Sequence, residues 1–421
     1  MKPFFCSLIA ATLAISTPAL SGPPAQVTKG NNDGAGSLRV ALGSGATHII
    51  IQPSVQTITV TETLLYLGTK PLTVIGSGQT IDGSGLTNNL APIFEVTNGA
   101  NLTIRKLSFD GGGGYSRSDN LGSGVEVSGG KGIFVDVPVG RTGTVEVELT
   151  HVAVFGTGNH GIHISDCTLG DECGGGGGGA GKGSPASIRV RLNNVLVDGA
   201  GFGKQDADGV RIDDRNDGDI HFSVVDSVFK NVGADGVELD EGNKGSVYLE
   251  VRNTTFEMNG KYCLDGEFIK GDPCDGGGDP DVDDGFDVDE AGPGSIKGRL
   301  MNMQVNSNFD EGLDFDEGGD GGIDLRLISI YAQGNVDEGI QVSERNYGDL
   351  RISLRAVTLR NNGSKEDAEI EEKDSGDIEV TVKGSLIGEL KISEGGSGDG
   401  TVKIRGSTIV EPPDLDNVTE I

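Results

Sequence analysis

Along most of this chain apolar and polar residues alternate with a period of two, in short runs broken by Gly, Asn and Asp. The run SVYLEVR from Ser246 to Arg252 is typical, and His48–Gln52, Gln56–Val60, Leu72–Ile75 and Asn101–Ile104 are earlier examples. Such alternation predicts strands with one buried face; a helical solenoid would need a period of 3.6.

The strands belong to an internal repeat. HGIHISD from His160 to Asp166 aligns with DGVRIDD from Asp208, DGVELDE from Asp235 and DGFDVDE from Asp284, then EGLDFDE from Glu311 and EGIQVSE from Glu338. Degenerate copies follow at Asp367–Glu372 and Glu389–Glu394. The step is 27 residues from Asp208 to Asp235, from Asp284 to Glu311 and from Glu311 to Glu338. Two longer steps, of 48 and 49 residues, each hold a Cys-bearing insertion, near 167–182 and 261–283. The insertions are expected to leave as loops without breaking the register. With three short strands per repeat, the expected architecture is all-β, a right-handed parallel β-helix with coils of about 27 residues. Asn308, Asn335 and Asn362 recur at the same step, and are expected to form an internal ladder of side-chain amides.

Coils stack at the strand spacing of ~4.8 Å, so equivalent positions form columns. One column reads His163, Arg211, Glu238, Asp287, Asp314, Gln341, Glu369, Lys391. The next reads Ser165, Asp213, Asp240, Asp289, Asp316, Ser343, Glu371, Ser393, and beside it run Asp166, Asp214, Glu241, Glu290, Glu317, Glu344, Glu372, Glu394. Alternation sends Val237 and Leu239 inward, and Glu238 and Asp240 outward. Two carboxylates ~5 Å apart repel by about 1 kcal/mol in water and by a few kcal/mol at an effective dielectric of 20. Bound divalent cations, raised carboxylate pKa values or salt screening would offset this. The candidate metal ligands are Asp213, Asp214, Glu238, Asp240, Glu241, Asp287, Asp289, Glu290, Asp314, Asp316 and Glu317, with Ca²⁺ the expected ion. The alternative is a solvated acidic face that discourages lateral aggregation of a long sheet.

Composition supports this picture. Of 421 residues 71 are Gly and none is Trp, which suits many short strands better than one round core. Net charge is −31, which argues against nucleic acid and anionic membranes as partners and favours metal ions or a cationic partner. Residues 1–21 read as a signal peptide: Lys2 is positive, Phe4–Ile15 is apolar, and Ala19 and Ser21 precede the expected cut before Gly22. The mature chain, a β-helix over 22–410 with a tail at 411–421, is expected in the periplasm or outside the cell, with no membrane span. There Cys167–Cys173 and Cys263–Cys274 are expected as local disulfides, a four-Cys zinc site being the alternative.

GAGSLRVAL from Gly34 to Leu42 resembles the opening of many bacterial extracellular β-helix proteins, and TIDGSG from Thr80 to Gly85 is similar to the turn that follows it in them. The first segment would be a short helix capping the coil. The resemblance is to the pectin-lyase-like superfamily, many of whose members cleave or epimerise acidic polysaccharides. It implies a polysaccharide partner and, as the alternative to a binding protein, a Ca²⁺-dependent polysaccharide lyase, with Arg211 or His163 as the base.

Overall fold

The computed structural model describes residues 23–86, 91–113, 130–166, 183–201, 207–260, 283–363 and 366–421. The signal segment and all four cysteines of the expected disulfides lie outside the described residues.

Every strand pairing is parallel, and each strand pairs with the equivalent strand one coil away. Two sheets result, one of 20 strands and one of 12. The 12-stranded sheet carries the repeat motif, one short strand per coil, such as Val237–Glu241, Phe286–Glu290 and Leu313–Glu317. The larger sheet folds over in each coil at a single residue of positive φ: Asn194, Asp226, Asn253, Asn302, Ser329 and Ala356 all lie between 52° and 56°. Asn and Asp tolerate this left-handed region best, which explains their frequency at the bends. The chain is a right-handed parallel β-helix.

The expected columns are the observed register. His163 pairs with Arg211, Arg211 with Glu238, Glu238 with Asp287 and Asp287 with Asp314. Both Cys-bearing insertions leave this register intact. The last coils shorten to steps of 22 residues. Residues 411–421 correct the expected tail. Asp414–Asp416 pairs with Lys391–Ser393, and Val418–Glu420 with Gly400–Val402, because Leu415 and Val418 still pack against the core. At the other end Leu38–Gly43 forms a short helix that buries Leu38, Ala41 and Leu42, with Ser37 accepting from the Val40 N–H. No described helix is long and apolar enough to cross a membrane.

The core is a column of aliphatic side chains with a run of stacked rings, Phe229 on Phe256 and Phe256 on Phe286. Beside it runs the asparagine ladder. Asn259 Nδ2 donates to Asn308 Oδ1 (3.0 Å), Asn308 Nδ2 to Asn335 Oδ1 (2.9 Å), and Asn335 Nδ2 to Asn362 Oδ1 (2.9 Å). Each acceptor oxygen also takes the backbone N–H of the preceding rung. All four residues are buried, so each amide replaces water for its neighbours.

Asn335→Ala should therefore lower unfolding stability by about 1–3 kcal/mol in a denaturant titration, since it orphans the Asn308 side-chain and backbone donors. Asn302→Gly, at an exposed bend where Nδ2 donates to Asn253 Oδ1 and where glycine keeps the positive φ, should change it by less than about 0.5 kcal/mol. Equal losses would contradict the internal ladder as the stabilising element.

Candidate functional site

The repeat motif places four acidic columns on and around the 12-stranded sheet, and the structure gives them different fates. The seventh position is not outward. Asp214, Glu241, Glu290 and Glu317 are each 0–1% exposed. The strand ends there, and the side chain turns under the following loop. Glu241 Oε1 accepts from the Gly245 N–H at 3.0 Å and Oε2 from the Asn243 N–H at 3.2 Å. Glu290, Glu317, Glu344, Glu372 and Glu394 repeat the arrangement with the loops that follow them. The spacing Glu-x-x-x-Gly fixes it. A Cβ on Gly245 would lie 1.6 Å from the Gly218 carbonyl oxygen one coil back, so only glycine allows the loops to stack. Asp214, Glu241, Glu290 and Glu317 are thus structural carboxyl groups rather than surface metal ligands.

Stacked glutamates need something between them. Glu290, Glu317, Glu344 and Glu372 each keep one buried oxygen, Oε2, with no hydrogen-bond donor. A proton shared with the next carboxyl satisfies both groups. Burial first, and then the neighbouring carboxyls, push Glu290 and Glu317 up to about 8 and Glu344 up to about 10. Burial likewise holds Glu241 at about 7.

The sixth position is also less exposed than alternation implies. Asp213 and Asp240 are 1% exposed, because Arg211 and Arg215 lie across them. Arg211 donates through Nε to Asp213 Oδ1 (3.0 Å), and through its two terminal nitrogens to Glu238 (2.5 Å), Asp208 (3.3 Å) and Asp240 (2.9 Å). Arg215, itself buried, bonds to Asp240. Burial opposes the Arg211 charge, but Glu238, Asp213, Asp240 and Asp208 together hold its pKa well above the ordinary value. Arg211 therefore cannot act as a general base. His163 bonds through Nε2 to Asp213 Oδ2 (2.7 Å) and through Nδ1 to Lys131 Nζ (2.6 Å). Burial, and then the Lys131 charge, hold it well below its ordinary pKa. It is a neutral imidazole with both nitrogens engaged.

This cationic group neutralises one end of the acidic stripe. At the other end Lys391 bonds to Glu369 and, at 2.8 Å, to Glu371. In the middle, Arg345 reaches Asp316 at 3.6 Å but not the acids beside it. Oxygens of Asp284, Asp287 and Asp314 converge within 4.8 Å of one another. Among the described residues no basic side chain pairs with any of the three; Gln341 Nε2 reaches Asp314 at 3.3 Å. Burial first, then the surrounding carboxylates, push all three well above the usual carboxylate range. Asp289, flanking them with Asp316, is pushed up to about 7 by burial, Asp240 and Asp316.

Of the expected ligands, then, Glu238, Asp287 and Asp314 enter clusters able to hold a metal ion, Asp289 and Asp316 flank them, Asp213 and Asp240 bond to arginines, and Asp214, Glu241, Glu290 and Glu317 are buried. The motif's first position also contributes, which alternation alone does not predict. Asp208, Asp235, Asp284, Glu311 and Glu338 form a column whose members join these clusters. Three of them also tie coils together: Asp208 Oδ1 accepts from the Asp235 N–H at 3.1 Å, Asp235 Oδ1 from the Asp284 N–H, and Asp284 Oδ1 from the Glu311 N–H at 2.7 Å. The signal was an acid retained before Gly in every central repeat.

No family model matches the chain, and no curated protein matches it in sequence. Solved structures match it in fold. ORF18 of Geobacillus virus E2 is 11% identical, with a TM-score of 0.49 over 85% of this chain and 61% of its own, so this chain spans less than two thirds of the viral protein. The A-module of mannuronan C-5 epimerase AlgE6 from Azotobacter vinelandii is 11% identical, with a TM-score of 0.40 over 93% of this chain and 97% of the module. Polygalacturonase from Erwinia carotovora ssp. carotovora is 10% identical, with a TM-score of 0.38 over 98% of this chain and 100% of its own. These identities and TM-scores are low, and the parallel β-helix rests on the chain's own strand pairings.

The glutamate column makes stability depend on pH. Its folded pKa values lie above those of unfolded Glu, so its contribution is full below about pH 4.3 and is lost as pH rises through the folded values of about 7 to about 10. In chelator, the melting temperature should fall between pH 6 and pH 9 (about three decades of proton activity), and Glu317→Gln should flatten the slope. A melting temperature that rises over this range would contradict the shared-proton column.

Proposed function

We propose that this chain is an exported binding protein whose acidic groove takes divalent cations, Ca²⁺ foremost. The observation that carries the reading is the convergence of Asp284, Asp287 and Asp314 without a cationic partner. Three carboxylates supply hard oxygen donors, which suit Ca²⁺ in a flexible, irregular shell completed by water. The groove also discriminates among its own clusters. Asp208, Asp235 and Glu238 form a similar triad, but Arg211 already bonds to Asp208 and Glu238 and supplies the positive charge there. Lys391 does the same for Glu369. Cation affinity should accordingly be highest in the middle coils.

The alternative, a Ca²⁺-dependent polysaccharide lyase, needs a proton acceptor beside the metal. Arg211 is held charged and both His163 nitrogens are engaged, so neither residue supplies one. The binding reading is preferred for that reason.

Thermal unfolding tests it. Ca²⁺ at a hundredfold excess over its dissociation constant stabilises a one-site protein by about 2.7 kcal/mol, and the melting temperature should rise by a few degrees. Replacing both Asp287 and Asp314 by Asn should abolish the rise. It should also raise the metal-free melting temperature, because Asn is neutral without the cost of taking up a proton. A wild-type melting temperature indifferent to millimolar Ca²⁺ would sink the proposal.

A further inference from the structure

The position immediately before each bend of the larger sheet forms an outward column of its own. In the last six coils it reads Arg252, Met301, Ile328, Arg355, Lys383, Arg405. As far back as Arg105 the column contains no acidic residue, in a chain of net charge −31. Its earlier arginines are answered by neighbours, Arg105 by Glu148 at 3.0 Å and Arg252 by Glu250 at 3.5 Å. Arg355, Lys383 and Arg405 are not. All three are exposed, and none makes an ion pair with a described residue.

These three cations end the strands Leu350–Arg355, Ile378–Lys383 and Gly400–Arg405. Glu379, near the opposite end of its strand from Lys383, is the single acid on the three strands. Just past the bend the outward residues are Thr358, Leu386 and Thr408, again without an acid. The bend residues themselves are small, Ala356, Gly384 and Gly406, with φ of 52°, 61° and 57°. A Cβ on Gly384 or Gly406 would meet nothing within 4 Å, so the three long side chains stand clear along an open crest. Like charges directly opposite each other on neighbouring strands are destabilising. The ridge therefore presents a charge that its own surroundings leave uncompensated.

We propose that this basic ridge docks into the acidic groove of a second copy, so that the chain self-associates side by side. Three observations select that partner. First, the repeats match. Coil stacking sets the spacing of the ridge cations and of the groove carboxylates alike, at ~4.8 Å, so the two ladders meet in step. Secondly, the chain already uses basic side chains as counter-ions within its own groove. Lys391 bonds to Glu369 and Glu371, and Arg211 to Glu238 and Asp240. A ridge from another copy repeats that chemistry between molecules. Thirdly, the middle of the groove is open to it. Asp287, Asp289 and Asp314 have no basic partner among the described residues, Arg345 reaches Asp316 at 3.6 Å, and all four acids are partly exposed.

Net charge repels two copies at long range, but beyond about 8 Å it is largely screened at physiological ionic strength, and the local complementarity decides. Ridge and groove lie on different sheets, so one copy offers both. A contact between unlike patches is heterologous, and repeating it adds further copies.

The test is sedimentation equilibrium of the mature chain in chelator, at about 0.15 M and about 1 M salt, where screening differs more than twofold in range. Contacts made of exposed ion pairs are weak, so protein concentrations extend to the order of 1 mM. The average mass of the wild type should climb with concentration at the lower salt and fall back toward the monomer at the higher. Arg355→Gln, Lys383→Gln and Arg405→Gln combined should raise the concentration required by about tenfold or more. An unchanged melting temperature will show that this variant folds. The Asp287→Asn, Asp314→Asn double variant should lose association in the same way. Mixed in equal amounts, the two variants should associate again and stop at the dimer, because one supplies the groove and the other the ridge. A monomeric wild type, a ridge variant that associates as the wild type does, or a mixture that stays monomeric would overturn the proposal. So would a monomer that binds anionic lipid vesicles through the ridge instead. The proposal rests on the groove as a site for positive charge, but not on Ca²⁺. A chain that stays monomeric yet melts higher in Ca²⁺ sinks this proposal alone; one that associates in chelator but is indifferent to Ca²⁺ sinks the metal reading alone.

Discussion

In a stack of coils joined in parallel and in register, each side chain lies one strand spacing from its own counterpart. Repetition of a motif therefore becomes self-contact. What a residue contributes depends on whether its side chain complements a copy of itself ~4.8 Å away. Valine, leucine and phenylalanine do, and they fill the core. Asparagine does, because one amide holds both a donor and an acceptor, and the buried run from Asn259 to Asn362 closes hydrogen bonds at every step.

Carboxylates do not complement themselves, and the molecule resolves the conflict in three ways. Under the motif loops, glutamates with unpaired Oε2 atoms take up protons. At the ends of the groove, Arg211 and Lys391 break the column with the opposite charge. In the middle, Asp284, Asp287 and Asp314 lack a cationic partner among the described residues, burial and neighbouring carboxylates favour their protonated forms, and the proposed divalent cation would replace those protons. In this account function arises where the self-contact rule is left unsatisfied by the chain itself.

Much of this was legible in the sequence because the governing distances are set by register. The 27-residue step and the period-two alternation specified the fold, the column partners and the asparagine ladder. Two things were not legible. Alternation describes a strand, whereas Glu241 and its counterparts sit where the strand ends, so the loop decides their direction. The Glu-x-x-x-Gly spacing recorded this but looked like ordinary turn composition. The placement of Asp284 beside Asp287 and Asp314 depends on how the residue before the motif glycine turns back over the sheet, which no period reveals.

The central claim is that in-register carboxyls at the middle of the groove are neutralised by protons until a cation replaces them. Counting protons tests it most directly. Ca²⁺ is titrated into the metal-free chain at pH 7 in buffers of different ionisation enthalpy, and the protons released per bound ion are read from the dependence of the apparent heat on the buffer. Release of about one proton or more per Ca²⁺ is expected, since burial and the surrounding carboxylates raise the pKa values of Asp284, Asp287 and Asp314. Tight binding with no proton release would mean that the carboxylates already stand ionised side by side, and would contradict it.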